Sequence, residues 1–263
     1  MDYKLIIYQL DQGVAKIKFN RPDVLNSFNQ EMAKEVQKAI ASAKEDSNVR
    51  SVLIAAEGRA FCAGQDLAEV VSKDGAFLGD LSQIVKESYN PIIRVIRNLE
   101  KPVVCAVNGI AAGAGANIAF ACDIVVAASD ASFIQAFSKI GLIPDSGGTF
   151  FLPRLVGLPR AAAMTMLGEK ITAAKALEIG MIYKVCEPAA LYEEAYKIAK
   201  YLAEQPTVGL GLTKRGLNQS LANNLDQQLD FEATLQSLAG KTEDYKEGVK
   251  AFLEKRKPIF KGR

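Results

Sequence analysis

The stretch Ala106-Val-Asn-Gly-Ile-Ala-Ala-Gly-Ala-Gly-Ala-Asn117 follows directly on an apolar run, Pro102-Val-Val-Cys-Ala-Val107. That run is short and rich in β-branched residues, which is typical of a buried strand. The glycines that follow let the backbone turn tightly and leave it uncovered by side chains. Ile118-Ala-Phe-Ala121 then predicts the start of a buried helix. A strand, a glycine turn and a helix in this order give a helix N-terminus whose free N–H groups attract negative charge.

Three interpretations of this glycine turn are open from the residues alone. Glycine permits a helix to pack closely on a sheet, which requires no function. The spacing Gly109-x-x-x-Gly113-x-Gly115 also matches the dinucleotide-binding turn of short-chain dehydrogenases, and Tyr196-x-x-x-Lys200 matches their catalytic pair. The third interpretation is an oxyanion site, in which the helix N-terminus stabilises negative charge that develops on a thioester oxygen.

Length and composition are those of an ordinary globular protein. The 263 residues permit one large domain or two small ones. The composition, with 49% hydrophobic and 24% charged residues, is typical of a globular protein. The formal net charge is +2, so no global field favours nucleic acid or a membrane as partner. The N-terminus lacks a signal peptide and no apolar run reaches membrane-spanning length, which predicts a cytoplasmic protein.

The absence of histidine limits the chemistry more than any other feature of the composition. It excludes Ser-His-Asp and Cys-His nucleophile systems and histidine-ligated metals. The four cysteines lie far apart and form no C-x-x-C pair, so we expect buried thiols in a reducing compartment and no metal site. A general acid or base near neutral pH must therefore be a carboxylate, Lys, Tyr, Cys or the terminal amine.

Hydrophobic periodicity predicts strands that alternate with helices. Strands are expected over 14–19, 52–55, 102–107, 123–128, 132–137 and 181–185, and helices over 30–43, 82–99 with an interruption near Pro91, from Thr149 onward, and 173–180. Residues 58–66 are expected to form a turn-rich connection and 72–80 a loop. From Pro188 onward the pattern is almost wholly helical. The chain is therefore predicted to have an α/β core over 1–187 and a helical region over 188–263.

Several motifs resemble those of the crotonase (enoyl-CoA hydratase/isomerase) superfamily, and they occur in family order. They are Asn20-Arg-Pro, Leu25-Asn-Ser-Phe, Arg59-Ala-Phe-Cys-Ala-Gly-Gln-Asp-Leu67, Pro102-Val-Val-Cys-Ala-Val-Asn-Gly109, Ala121-Cys-Asp-Ile124 and Gly147-Gly-Thr149. The resemblance implies a spiral of β-β-α turns followed by an α-helical C-terminal trimerisation region, in a homotrimer or a dimer of trimers. It also implies an acyl-CoA substrate, with coenzyme A as the thioester part of that substrate and no tightly bound cofactor.

The resemblance assigns two backbone N–H groups to the thioester oxygen, and the matching positions are Gln65 and Ala114. Removing a proton beside a thioester puts negative charge on that oxygen, and one fixed donor is typically worth about 2.7–4 kcal/mol to the transition state. The positions that the resemblance places around the substrate are Ala63, Gly64, Asp66, Gly113, Asn117, Phe137, Leu142, Phe252 and Lys255. The last two match residues that contact CoA bound to a neighbouring subunit.

Two departures from the family pattern narrow the reaction. Hydratases of the superfamily hold and activate water with two glutamates, and the matching positions here are Asn117 and Phe137. One carboxylate remains, Asp145 in Gly141-Leu-Ile-Pro-Asp-Ser-Gly-Gly-Thr149. By itself this stretch favours a turn or a helix cap. The same position, however, carries the catalytic aspartate in several Δ3,Δ2-enoyl-CoA isomerase-like members of the superfamily.

The motifs most resemble those of isomerases of phenylacetate catabolism within the superfamily. This implies an acyl-CoA isomerase that converts ring-1,2-epoxyphenylacetyl-CoA to the oxepin-CoA and shifts Δ3/Δ2 enoyl-CoA double bonds, with Asp145 as acid and base. Phe133, Phe137 and Leu142 are candidates for the walls of an aromatic pocket. One alternative is an enoyl-CoA hydratase whose water is held by Asn117 and Asp145. Another is a non-catalytic acyl-CoA-binding partner subunit.

Overall fold

The structure, a computed structural model, describes residues 3–70 and 80–263, which form two β-sheets and surrounding helices. The strands are β1 (Ile6–Asp11), β2 (Val14–Phe19), β3 (Ser51–Ala56), β4 (Ala60–Cys62), β5 (Val103–Val107), β6 (Ile110–Ala112), β7 (Ile124–Ala128), β8 (Ser132–Ile134), β9 (Lys170–Thr172) and β10 (Lys184–Cys186). The α-helices are α1 (Gln30–Glu45), α2 (Leu67–Val70), α3 (Leu81–Ile84), α4 (Asn90–Asn98), α5 (Ala114–Ala121), α6 (Gly148–Val156), α7 (Leu158–Leu167), α8 (Ala173–Glu178), α9 (Leu191–Ala203), α10 (Thr207–Ser220), α11 (Leu225–Ala239) and α12 (Glu243–Leu253). A π-helical turn, Val85–Tyr89, joins α3 to α4, and short 3₁₀ helices cover Pro22–Val24, Ala136–Ile140 and Pro188–Ala190.

The two sheets arise from a repeated path of the chain. The larger sheet has the strand order β1-β2-β3-β5-β7-β10 and the smaller one β4-β6-β8-β9. Three successive pairs, β3-β4, β5-β6 and β7-β8, each give the first strand to the larger sheet and the second to the smaller one. Each pair is followed by helix, so the predicted spiral of β-β-α turns is confirmed. Pairing among these strands is parallel, except that β1 pairs antiparallel with β2 and β9 with β8 at the sheet edges.

The strands of the larger sheet are buried because helices cover them. All residues of β5 are buried, as expected for a parallel strand that reads as a continuous apolar run. Helix α9 packs against β3 and β5, and its buried residues include Ala195 and Ala199, whose small side chains permit a close approach. The Ser51 hydroxyl at the start of β3 donates a hydrogen bond to the Ala199 carbonyl at 2.7 Å. The division of the chain between residues 187 and 188 stays a prediction.

Short elements account for most differences from the sequence-based prediction. The connection 58–66 contains β4, and helix α5 begins at Ala114 rather than at Ile118. The strand expected over 181–185 is Lys184–Cys186. A strand of three residues is too short to show a hydrophobic period. Glycine has a low helix propensity, so its presence in the first turn of α5 led to a predicted helix start that is too late. The loop expected over 72–80 lies outside the described residues except for its last position.

The C-terminal end of the chain is held at the start of β3. The Arg50 guanidinium donates hydrogen bonds to the Gln205 and Phe260 carbonyls and to the Thr207 hydroxyl. The Asp244 carboxylate accepts from the backbone N–H groups of residues 261 and 262, which ties the tail to α12. Over the described ranges, every helix is too short or too polar to cross a bilayer.

Candidate active site

The two predicted oxyanion donors lie where β4 and β6 end. These strands are parallel neighbours, with Cys62 opposite Ala111, so the segments after them leave the small sheet at one edge. Gln65 follows β4 and Ala114 follows β6 by a few residues. The structure gives neither of these two N–H groups a hydrogen-bond acceptor among residues 3–70 and 80–263. Neither N–H group is therefore committed to another part of the described chain.

Glycines let the two donor segments approach each other. A Cβ atom on Gly115 would lie 2.6 Å from the Cβ, Sγ and carbonyl oxygen of Cys62, so only glycine allows the first turn of α5 to lie against β4. Gly113 has φ of 52° and is the N-cap residue of α5. Ala114 is then the first residue of the helix, and its N–H belongs to the group that has no intrahelical partner. This end of α5 carries the partial positive charge of the helix dipole.

Asp145 lies in a tight turn that leads into α6. Its main-chain carbonyl accepts from the Gly148 N–H at 2.8 Å, and both central residues of the turn, Ser146 and Gly147, have positive φ. The Ser146 hydroxyl donates to Asp145 Oδ1 at 2.8 Å. Burial raises the pKa of the Asp145 carboxyl above its ordinary value, and the hydrogen bond from Ser146 opposes that shift. A carboxyl group with a raised pKa is suited to take up a proton and return it.

Asn117 is directed into the protein. Its Nδ2 donates to the Asp145 carbonyl oxygen at 2.8 Å, and its Oδ1 accepts from Gln135 Nε2 at 2.9 Å. The side chain is 0% exposed. The sequence predicted a substrate contact for Asn117, and the structure instead shows its amide supporting the Asp145 turn. The reason is tertiary, because α5 and that turn pack together.

The three predicted apolar wall residues differ in their surroundings. Phe137 is buried, and its ring lies 3.5 Å from the point where a Gly113 side chain would begin, so it covers the turn before Ala114. Leu142 is partly exposed, and its N–H donates to the Phe137 carbonyl. Phe133 is fully buried and packs against Phe120 with ring centroids 5.4 Å apart. The expectation that Phe133 lines a pocket is therefore wrong, since its ring is buried in the hydrophobic core.

The Asp66 carboxylate has protein partners of its own. It pairs with the Arg21 guanidinium at 2.9 Å and accepts from the Ala68 N–H. The backbone of Phe28 binds the same segment, because its N–H donates to the Gly64 carbonyl and its carbonyl accepts from the Asp66 N–H. The motifs near residues 20 and 25 thus hold the segment that carries Gln65. Asp66 supports the donor segment, which the sequence-based assignment to substrate contact did not anticipate.

Tyr89 was not singled out in the sequence. Its hydroxyl donates to Gln65 Oε1 at 2.7 Å, and the side chain is only 2% exposed. Burial raises the pKa of Tyr89 well above the ordinary value, with smaller contributions from Cys62, Asp145 and other acidic groups. The only signal in the sequence was the interruption near Pro91, which the structure resolves as the π-helical turn 85–89. Such turns frequently occur at functional sites.

Phe252 and Lys255 lie apart from these groups within one chain. Phe252 is 83% exposed at the end of α12, and the Lys255 N–H donates to its carbonyl oxygen. Among the described residues, no hydrogen bond or ion pair joins the Lys255 side chain to Gln65 or Asp145, and both side chains are exposed. A contact with CoA bound to a neighbouring subunit stays a prediction.

The dehydrogenase interpretation is wrong. The Tyr196 hydroxyl donates to the Asp11 carboxylate at 2.8 Å, on the face of α9 that lies over the N-terminal hairpin. The Tyr196 hydroxyl is therefore bonded to the N-terminal hairpin and not placed at the glycine turn, where a dehydrogenase would need it. The described ranges also contain no group of three or more Cys, Asp or Glu side chains arranged to hold a metal ion.

Comparison with known proteins identifies the family. The family model for enoyl-CoA hydratase/isomerase matches residues 9–263. The 1,2-epoxyphenylacetyl-CoA isomerase of Escherichia coli (strain K12) is 46% identical over 260 residues, which cover 99% of each chain. The trans-2-decenoyl-(acyl-carrier-protein) isomerase of Streptococcus mutans is 41% identical and matches 100% of both chains. A crystal structure of an enoyl-CoA hydratase from Bacillus anthracis superposes with a TM-score of 0.90 at 32% identity, covering 99% of this chain and 100% of that one. The chain therefore belongs to the enoyl-CoA hydratase/isomerase (crotonase) family, for which a CoA thioester is the typical substrate, and it has the fold of that family.

Proposed function

We propose that this protein is an acyl-CoA isomerase in which Asp145 moves a proton while the N–H groups of Gln65 and Ala114 hold the thioester oxygen. The observation that carries the proposal is the set of groups around the two free donors. Asp145 offers a carboxylate with a raised pKa. At the two positions where hydratases of the family have glutamate, Asn117 and Phe137 are both buried and cannot exchange a proton. One base suffices for an isomerase, whereas hydration needs an activated water.

The proposed reaction on a Δ3-enoyl-CoA is a proton shift. The Asp145 carboxylate takes a proton from C2, and the electron pair moves onto the thioester oxygen to give an enolate conjugated with the C3–C4 double bond. The two fixed donors stabilise the charge on that oxygen. The protonated Asp145 then returns the proton to C4 while the C2–C3 double bond forms. No atom is gained or lost, and the base ends in its starting state.

The second proposed substrate is ring-1,2-epoxyphenylacetyl-CoA, which would be rearranged to the oxepin-CoA. The same pair of donors would position and polarise this thioester, and Phe137 would lie near the ring. The 46% identity to the Escherichia coli isomerase of that name supports this substrate. For both substrates the acyl-CoA is the only reactant, and coenzyme A is carried as part of it.

The deciding experiment compares three substrates with the purified protein. A Δ3-enoyl-CoA should yield the conjugated Δ2 thioester, which is followed by its ultraviolet absorbance. Enzymatically generated epoxyphenylacetyl-CoA should yield the oxepin-CoA, which has the same mass and is identified by retention time and NMR. Crotonyl-CoA should not gain water at a comparable rate. Rapid formation of 3-hydroxybutyryl-CoA would make the protein a hydratase, and tight CoA-ester binding without turnover would make it a non-catalytic partner subunit.

The variant Asp145→Asn tests the assignment of the base. General acid–base catalysis contributes typically about 10²–10⁴-fold, so the rate of the Δ3 to Δ2 shift should fall by that order while CoA-ester binding persists. The base works when ionised, so the wild-type rate should fall as pH drops through the Asp145 pKa. Because burial raises that pKa, the acid limb should lie above the ordinary range of aspartate. Unchanged turnover in the variant would remove Asp145 from the mechanism.

A further inference from the structure

Asn117 connects the helix that carries one oxyanion donor to the turn that carries the proposed base. It lies on α5 about one turn after Ala114, and its Nδ2 donates to the Asp145 carbonyl oxygen at 2.8 Å. Asn117 has no exposed surface, so the donor of this part-buried hydrogen bond lies inside the protein. A buried donor that lost its acceptor would not regain one from solvent. The contact therefore fixes the turn relative to the helix.

Gln135 supports the orientation of the Asn117 amide that the Asp145 carbonyl requires. A main-chain carbonyl can only accept, so Asn117 must turn its nitrogen towards Asp145 and its oxygen towards Gln135. Gln135 Nε2 donates to that oxygen at 2.9 Å. Gln135 Oε1 is buried and has no hydrogen-bond partner among the described residues. A buried acceptor without a partner destabilises the fold, so an apolar side chain at position 135 would be more favourable for stability. The glutamine is explained if its Nε2 donor is needed by Asn117.

The Asp145 turn needs such support. Ser146 is held at φ of 50°, in the left-handed region that non-glycine residues rarely adopt, and it is buried. Strained backbone of this kind persists only where its surroundings determine it. A Cβ atom on Gly148 would lie 2.5 Å from Asn117 Nδ2, so the amide is packed directly against the turn. The Asp145 carbonyl accepts from both Gly148 N–H and Asn117 Nδ2, which holds the peptide in one orientation.

We infer that Asn117 and Gln135 are positioning residues that set the place of the Asp145 carboxylate relative to the Ala114 N–H. The inference rests on the proposed function, in which a proton moves between Asp145 and a thioester held at Ala114. Proton transfer depends steeply on the distance between the reacting atoms, whereas binding of the CoA ester does not require Asp145. The same contact commits the Asn117 amide to the protein. Asn117 also has no exposed surface at which to hold a water for hydration, so the arrangement favours isomerisation.

Two variants and one control test the inference with the full-length protein and a Δ3-enoyl-CoA. Asn117→Asp replaces the donor that faces Asp145 with an acceptor, and Gln135→Met removes the donor behind it at nearly constant volume. Each should lower kcat by about 10- to 100-fold and leave KM within about 2-fold, since misplacement of a reacting group by 1 Å can cost 10²-fold. The control is Asn218→Asp. Asn218 also donates Nδ2 to a main-chain carbonyl, that of Arg97 at 2.9 Å, and accepts on Oδ1 from the Arg97 side chain, but it lies on α10. Its kcat and KM should stay close to those of the wild type.

The outcomes separate the inference from the proposed function. Folding of each variant is checked by circular dichroism and thermal melting. If the buried charge prevents Asn117→Asp from folding, Gln135→Met, which adds no charge, carries the test. Wild-type kcat in a folded variant, or a loss of kcat/KM that lies entirely in KM, would overturn the inference and leave the isomerase assignment intact. If the wild-type protein itself does not isomerise the substrate, the proposed function fails and the inference falls with it.

Discussion

Asp145 is the residue at which stability and the proposed chemistry oppose each other. Its pKa is raised by burial, so the folded chain favours the protonated carboxyl more than the unfolded chain does. Such a group contributes its full stability below the unfolded pKa and loses that contribution as pH rises through the folded pKa. Where the carboxyl is ionised, above that pKa, the protein therefore keeps a charged base at the expense of stability, as active sites commonly do.

Removing the charge from Asp145 should stabilise the fold at neutral pH. Asp145→Asn keeps an acceptor for the Ser146 hydroxyl, so its Tm should exceed that of the wild type at pH 7. Each kcal/mol released should raise Tm by roughly 2–4 °C, and the difference should shrink as pH is lowered towards 4. Differential scanning fluorimetry across this pH range measures it. The exposed Asp130→Asn serves as control, and a Tm difference for Asp145→Asn that is independent of pH would contradict the linkage.

At the scale of elements, the start of α5 combines a helix N-terminus with close packing on the small sheet. Ala114 is the first helical residue, a position where proline is well tolerated because its N–H has no intrahelical partner. A proline there deletes the proposed donor and leaves the helix hydrogen bonds in place. The effect of removing the Ala114 N–H on catalysis can therefore be measured with little change in the stability of α5.

Ala114→Pro should lower kcat/KM for a Δ3-enoyl-CoA by about 10²–10³-fold, the usual effect of removing one oxyanion donor. The melting temperature should change little by comparison. Leu158→Pro is the matched control, because Leu158 is the exposed first residue of α7 and, like Ala114, follows a glycine N-cap residue with positive φ. Equal losses of activity in both variants would show that the effect is not specific to the donor.

The π-helical turn before α4 is a second element with a local consequence. It ends at Tyr89, whose hydroxyl donates to Gln65 Oε1 and so restrains the residue that carries the other donor. Tyr89→Phe keeps the ring in its contact with Phe28 and removes one hydrogen bond. A hydrogen bond worth about 0.5–1.5 kcal/mol predicts a fall in kcat of about 2- to 10-fold, with KM nearly constant. Steady-state kinetics beside the exposed control Tyr201→Phe measures this, and an effect confined to KM would contradict it.

At the scale of the whole molecule, the C-terminal helices leave many large apolar side chains exposed. They include Leu217, Leu221, Leu225, Leu229, Leu238, Phe252 and Leu253. Exposed apolar surface on this scale is typical of an interface. It supports the predicted trimer, in which the end of α12 would reach the CoA of a neighbouring subunit. Lys255, with φ of 52° and an exposed side chain, is the predicted phosphate contact.

Lys255→Ala should raise KM for CoA esters at low salt by about 2- to 5-fold, with little change in kcat, since partly exposed ion pairs are worth up to about 1 kcal/mol. The difference should narrow as salt rises, because screening weakens exposed charge pairs first. Measurement of KM and kcat at low and high salt tests this prediction, with the variant of the neighbouring exposed residue, Lys257→Ala, as control. A large fall in kcat at constant KM would assign this end of the chain to assembly or chemistry.

The sequence alone determined the class of fold and predicted the type of site, because those signals are local. Buried parallel strands read as apolar runs, the turn before Ala114 needs glycine, and the resemblance to the family pattern made Asp145 the candidate base. Tertiary structure decided the rest. The small sheet consists of three-residue strands that exist only through pairing with each other, and α5 starts four residues earlier than predicted because packing outweighs the low helix propensity of Gly115.

The contacts that shape the candidate site also belong to tertiary structure. Asn117 and Asp145 are 28 residues apart in the chain, and Tyr89 and Gln65 are 24 apart. No local period or spacing encodes such a pair, so the sequence could name Asn117 only as a departure from the family pattern. Folding decided that its amide supports the Asp145 turn, because the Asp145 carbonyl is the acceptor that its buried nitrogen meets among the described residues.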